Sequence, residues 1–186
     1  MQIRSAFLVI SLVLLTGCAA TVKRNSADVA VMQIPQASSP KLVLNIGGSS
    51  AVVNASDWEG FKLEWKANFS EQARIAGVAF EMQDGTPRPT GEDGTLLYVY
   101  VNNYRFLRPG TRYALGIMSG NAYIQSKLTF SSLKTGETFG SQSADTSSSA
   151  WEGMFSAMTN KQVEAIAVDV FGRLKGSKAA SGKVGL

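Results

Sequence analysis

Histidine is missing from all 186 residues, and cysteine occurs once, at Cys18. General acid–base work by imidazole, cysteine nucleophiles outside position 18, zinc held by histidine or cysteine, haem and iron–sulfur ligation are all excluded by these two shortages. Carboxylates, hydroxyls and lysines are the reactive groups that remain. No acidic run of calcium-loop spacing is present, and no Gly-Lys-Ser/Thr or Gly-x-Gly-x-x-Gly loop. The composition therefore implies no cofactor. Charged residues make up only 17% and hydrophobic ones 45%, which excludes both a disordered chain and a multi-pass membrane protein. The net charge of +4 is gathered near the ends, at Lys23 and Arg24 and at Lys175, Lys178 and Lys183. No basic cluster lies on one element, so nucleic acid is not an expected partner.

What is present is sharpest at the N-terminus. Arg4 precedes the apolar run Ala6 to Leu15, which has the length of a secretory h-region and is too short to span a bilayer. Leu15-Thr16-Gly17-Cys18 then resembles the bacterial lipobox. That resemblance implies cleavage after Gly17 and a diacylglycerol thioether on Cys18, the expected lipidation site. Ala19, in place of a retention aspartate, implies delivery to the outer membrane with the domain facing the periplasm. Lipidation would consume the one thiol. The expected organisation is a signal peptide over 1–17, a lipidated tether over 18–40, a globular domain over 41–174 and a disordered basic tail over 175–186. The tether reading rests on Ala, Ser and Gln with Pro35 and Pro40 as breakers, and allows an edge strand over Asp28 to Ile34.

Within the domain, Lys41 to Ile46 reads as a buried strand and Gly47-Gly48-Ser49-Ser50 as a plain turn. Ser56-Asp57-Trp58-Glu59 has the form of a capping box, so a helix should follow, ending near Gly77. Trp58, Phe61, Trp65 and Phe69 share one face of that helix. They read as core, with a ligand box or lipid-facing surface as the alternative. Val78 to Met82 reads as a strand and Asp84 to Gly94 as an exposed loop. Its Asp84, Glu92 and Asp93 read as solvated acids and not as a cation site.

Thr95 to Leu107 reads as a long strand, Leu97, Val99 and Val101 on one face and Tyr98, Tyr100, Tyr104 and Phe106 on the other. Arg108 to Thr111 reads as a turn into a returning strand at Tyr113 to Met118. Ala122 to Ser131 alternates cleanly, and Lys134 to Glu137 turns into a polar edge strand. Capping boxes at Ser149 and Thr159 precede a final helix whose stripe is Val163, Ile166, Ala167, Val170, Phe171 and Leu174. These elements predict an α+β fold: a mostly antiparallel sheet of five or six strands, two main helices on one face, and one parallel pair at the first helical connection.

Tyr100-Val101-Asn102-Asn103-Tyr104-Arg105-Phe106, Met118 to Ala122, Leu133 to Glu137 and Thr146 to Thr159 together resemble an uncharacterised family of bacterial outer-membrane lipoproteins, a domain of unknown function. The resemblance covers most of the mature chain and implies localisation and fold, with no activity or binding residues to carry over. The expected role is non-enzymatic: partner binding or assembly of an envelope complex, anchored to membrane through Cys18. A lipid or apolar-ligand carrier is the alternative, with Trp58, Phe61, Trp65, Tyr98, Tyr100 and Tyr104 as the candidate ligand or partner surface. An envelope glycan hydrolase, drawing on carboxylates such as Glu81, Glu92, Asp93 or Glu137, ranks last.

Overall fold

The computed structural model describes residues 22–23, 32–106, 122–147 and 158–181. The expected strand at Tyr113 to Met118, its turn, the capping box at Ser149 and Cys18 itself lie outside them. The strands are β1 (Val22–Lys23), β2 (Lys41–Gly48), β3 (Ala79–Gln83), β4 (Thr95–Arg105), β5 (Tyr123–Ser132) and β6 (Thr138–Ser147). The helices are α1 (Ser50–Val53), α2 (Trp58–Ala76) and α3 (Met158–Ser181). A 3-10 turn at Gln36–Ser38 precedes β2.

One sheet runs β1-β6-β5-β4-β2-β3. From β4 to β6 it is an antiparallel meander, and the tight turn at Lys134 to Glu137 reverses β5 into β6. At β2 it becomes parallel on both sides, to β3 and to β4, so the sheet is mixed, with two parallel pairs where the sequence suggested one. A parallel pair needs a crossover, which α1 and α2 supply between β2 and β3. β2 is buried on both faces, Leu42, Leu44 and Ile46 in the helix-side core and Val43 in a cluster on the other side, which is why its apolar run is nearly continuous.

Both long helices lie on one sheet face. Trp58, Phe61, Trp65, Phe69 and Ala73 recur every three or four residues along α2 and are buried. The α3 stripe is buried as its spacing predicts, and Phe171 meets Phe69 at 5.9 Å between ring centres. These side chains join Leu42, Leu44, Leu97, Val99, Ile124, Leu128 and Phe130 in one core. A second cluster, Val43, Leu96 and Leu133, sits on the opposite sheet face. Gly77 ends α2 at φ 63°, and the Val78 amide donates to the Ala73 carbonyl at 3.0 Å, a Schellman closure.

Several local expectations are corrected. Gly47 and Gly48 continue β2, and a short helix follows where a plain turn was expected. The glycines are needed for close approach: a methyl on Gly48 would meet the Val101 carbonyl oxygen and a Val52 methyl, each at 2.7 Å. The Ser56 capping box does not form, since α2 starts at Trp58 with Asp57 as N-cap and no side-chain cap bond. Glu59 instead pairs with Lys62 at 3.0 Å. The boundary at residue 41 moves forward, because Ile34, Ser38 and Ser39 are buried and Thr95 Oγ1 donates to the Ser38 carbonyl at 2.7 Å. The N-terminal edge strand is Val22–Lys23, and Met32 to Ile34 is not strand. At the other end the helix passes Leu174 and continues to Ser181, into the span expected to be disordered. Lys175, Ala179 and Ala180 are good helix formers and extend a helix already nucleated by packing.

Candidate functional site

Two places bring the sequence-derived candidates together, one on each side of the sheet. The first depends on a β-bulge. Val101 pairs with Ser126 and Asn103 with Gln125, so Asn102 is an extra residue in β4. One extra residue reverses the alternation of everything after it. Tyr104 and Phe106 are thereby moved off the face of Tyr98 and Tyr100 and onto the helix side, contrary to the simple alternation of the sequence.

Tyr104 stacks on Phe61 at 4.3 Å between ring centres, and Phe106 meets Phe61 edge-on at 6.0 Å. Trp58 lies 6.0 Å from Tyr104, and Trp65 lies 6.0 Å from Phe61. Trp58, Phe61 and Trp65 are thus core rings that fill the space between helix and sheet against one another. The Tyr104 hydroxyl donates to Asp57 Oδ1 at 2.5 Å, a charge-assisted bond that occupies the carboxylate at the start of α2. Burial first, and this hydrogen bond second, push the Tyr104 phenol well above the usual tyrosine range.

Beside that pair, at the C-terminal ends of β2 and β4, a cleft of about 340 Å³ opens. Ser49, Val52 and Ala55 wall it from the helix side, and Asp57, Asn103 and Tyr104 supply polar groups. Clefts at the carboxyl ends of parallel strands are common ligand positions in open sheets. The volume is at the small end of ligand sites, and the walls mix polar and apolar groups. The signal for it in the sequence was the pair Asn102-Asn103, two consecutive polar residues interrupting an alternating run.

The second place is the opposite face. Tyr98 and Tyr100 lie there, half-buried, with ring centres 6.3 Å apart in an edge-to-face arrangement. Register puts Thr129 beside Tyr98 and Lys127 beside Tyr100 on the same face. Tyr98 lies over Gly47, where a methyl would come within 2.9 Å of its hydroxyl oxygen. Burial, then the neighbouring Tyr100, raises the Tyr98 phenol above its ordinary value. The six aromatic candidates therefore do not form one surface: four belong to the helix side and two to the opposite side.

The acidic loop is answered by lysines. Lys41 meets Glu81 at 2.9 Å and Glu92 at 2.7 Å, and Lys134 meets Asp93 at 3.1 Å. Those hydrogen bonds raise the Lys41 ammonium above its usual value. Among the described residues no group of three or more acidic side chains converges as a metal site. No helix among them is long and apolar enough to cross a membrane.

No family model matches the chain, and no curated protein does. Solved structures do. A PelC dodecamer from Paraburkholderia phytofirmans is 12% identical with a TM-score of 0.49, covering 83% of this chain and 96% of that one. A Xanthomonas campestris protein of the family DUF330 is 12% identical with a TM-score of 0.45, covering 90% and 99%. A Neisseria meningitidis lipoprotein is 15% identical with a TM-score of 0.43, covering 72% of this chain and 99% of its own. The solved structures this chain is similar to thus include a lipoprotein and a domain of unknown function.

Proposed function

We propose that this chain is a lipid-anchored bacterial envelope protein, held at the outer membrane facing the periplasm, which binds a protein partner and performs no catalysis. The anchor rests on the lipobox at Leu15 to Cys18. The binding role is carried by one observation: the helices cover one face of the sheet and leave Tyr98 and Tyr100 half-buried on the other. Tyrosine gives large contact area at low entropic cost and keeps a hydroxyl for hydrogen bonding, the combination enriched in protein interfaces.

The test is photocrosslinking from Lys127, exposed on the face of Tyr98 and Tyr100, and from Lys66, on the helix layer, in intact envelopes. The expected result is one reproducible partner from Lys127, lost in the Tyr98→Ala/Tyr100→Ala variant and absent from Lys66. Recovery of the protein alone from Lys127, or a partner insensitive to the tyrosines, overturns the reading.

The cleft beside Asp57 favours a second reading, capture of a small polar ligand by Asp57, Asn103 and Tyr104. Native mass spectrometry of the purified protein would show such a ligand, and Asp57→Ala would release it. An empty protein in every preparation argues against it.

A further inference from the structure

β1 changes how far the domain stands from its anchor. Val22 pairs with Thr146 and Lys23 with Asp145, antiparallel, so the chain joins the sheet four residues after Cys18. A tether reaching to residue 40 would extend roughly 75 Å. From Cys18 to Val22 the fully extended chain spans only about 14 Å. Direction is fixed as well. Because β6 runs from Thr138 to Ser147 and β1 runs against it, β1 begins at the Ser147 end of the sheet. Tyr123, at the start of β5, pairs there with both Ser147 and Arg105. The Lys134 to Glu137 turn is at the opposite end, about 30 Å away along β5.

We infer that the sheet end carrying Arg105, Tyr123 and Ser147 is held against the lipid headgroups of the membrane that receives the Cys18 acyl chains, with the acidic loop and Lys134–Glu137 turn directed away from it. The inference rests on the anchor reading above. Its occupant is a bilayer surface, specified by the length of chain between the anchor and the sheet. The groups at this end suit headgroups: Asn102 and Asn103 are exposed amides, Arg105 is an exposed cation, and the half-buried Tyr123 offers a ring with a polar tip. The cleft beside Asp57 opens at this same end, since it is bordered by Asn103 and Arg105 of β4.

The chain's shortage of cysteine makes the test clean, because a thioether at Cys18 leaves any introduced cysteine as the one reactive thiol. Full-length lipidated protein carrying Asn103→Cys or Thr135→Cys is labelled with a donor fluorophore. It is then reconstituted in phosphatidylethanolamine/phosphatidylglycerol vesicles doped with a headgroup acceptor. The expected loss of donor emission at position 103 is several times that at position 135. Val22→Pro removes an amide from the β1 pairing and should bring the loss at 103 down towards that at 135. A twelve-residue Gly-Ser insertion after Ala20 should do the same with β1 intact, which guards against misfolding of the proline variant. Equal losses at the two positions in acylated protein, or a loss at 103 that neither change reduces, overturn the inference and leave the anchor standing. An unmodified Cys18 in the mass spectrum overturns both.

Discussion

Replacing Tyr104 by phenylalanine removes one oxygen and leaves the stack on Phe61 in place, so it isolates the bond to Asp57. A hydrogen bond to a charged group contributes about 1.5–3 kcal/mol. Asp57 is only partly buried and regains water once the hydroxyl is gone, which puts the expected cost at about 1–2 kcal/mol. For a chain of this size that lowers Tm by roughly 2–8 °C. Asp57→Ala loses the same bond and also removes negative charge from the start of α2, worth about 0.3–1 kcal/mol more. A double-mutant cycle cancels that second effect. Urea unfolding of the domain from residue 19, at neutral pH, should give a coupling of about 1–1.5 kcal/mol between the two sites. Coupling below about 0.3 kcal/mol, within the usual error of additivity, would refute the claim that this bond fastens β4 to α2.

Alkaline conditions act on the same pair. The folded phenol of Tyr104 titrates above the unfolded one, so its contribution is fully present below about pH 10 and declines as pH rises past it. Ultraviolet titration should show a tyrosine fraction that ionises late, together with the unfolding transition; complete ionisation of all tyrosines near pH 10 in folded protein contradicts this. Phe61→Ala deletes the ring at the centre of the aromatic cluster and should cost about 3–5 kcal/mol in the same urea assay. Gly48→Ala should destabilise more than Gly47→Ala, because it drives a methyl into a backbone carbonyl whereas Gly47→Ala meets the movable end of Tyr98. About 1–3 kcal/mol is expected for Gly48→Ala, and equal melting temperatures for the two variants would count against it.

The parts of the fold that were legible in the sequence are those specified by neighbours along the chain. The α3 stripe, the alternation of β5 and the turn at Lys134 to Glu137 each need only a period or a turn residue, and all three stand as read. The bulge at Asn102 was harder. Its cause is a pairing offset against β5, and a single strand carries no record of its partner's register. The two glycines at positions 47 and 48 looked like a turn because their need for space comes chiefly from Tyr98 and from the Val101 backbone, both on a distant strand. Likewise β1 has no periodicity to display in two residues, and its pairing with β6 joins segments far apart along the chain. The aromatic candidates were found individually, yet their division between two faces waited on that one-residue offset.

The parallel position of β2 also sets an order of assembly. The β5–β6 hairpin closes a short turn and needs nothing else to begin, whereas Leu42 must wait for Thr95 and for Phe80 to arrive along the chain. Loop closure over such separations is slow. The apolar run Leu42 to Ile46 is made early and capped late, so for that interval it is an unpaired, sticky edge of the kind that seeds aggregation. The strand held between two parallel neighbours in the finished sheet is therefore the one that most needs shelter while the chain is still arriving.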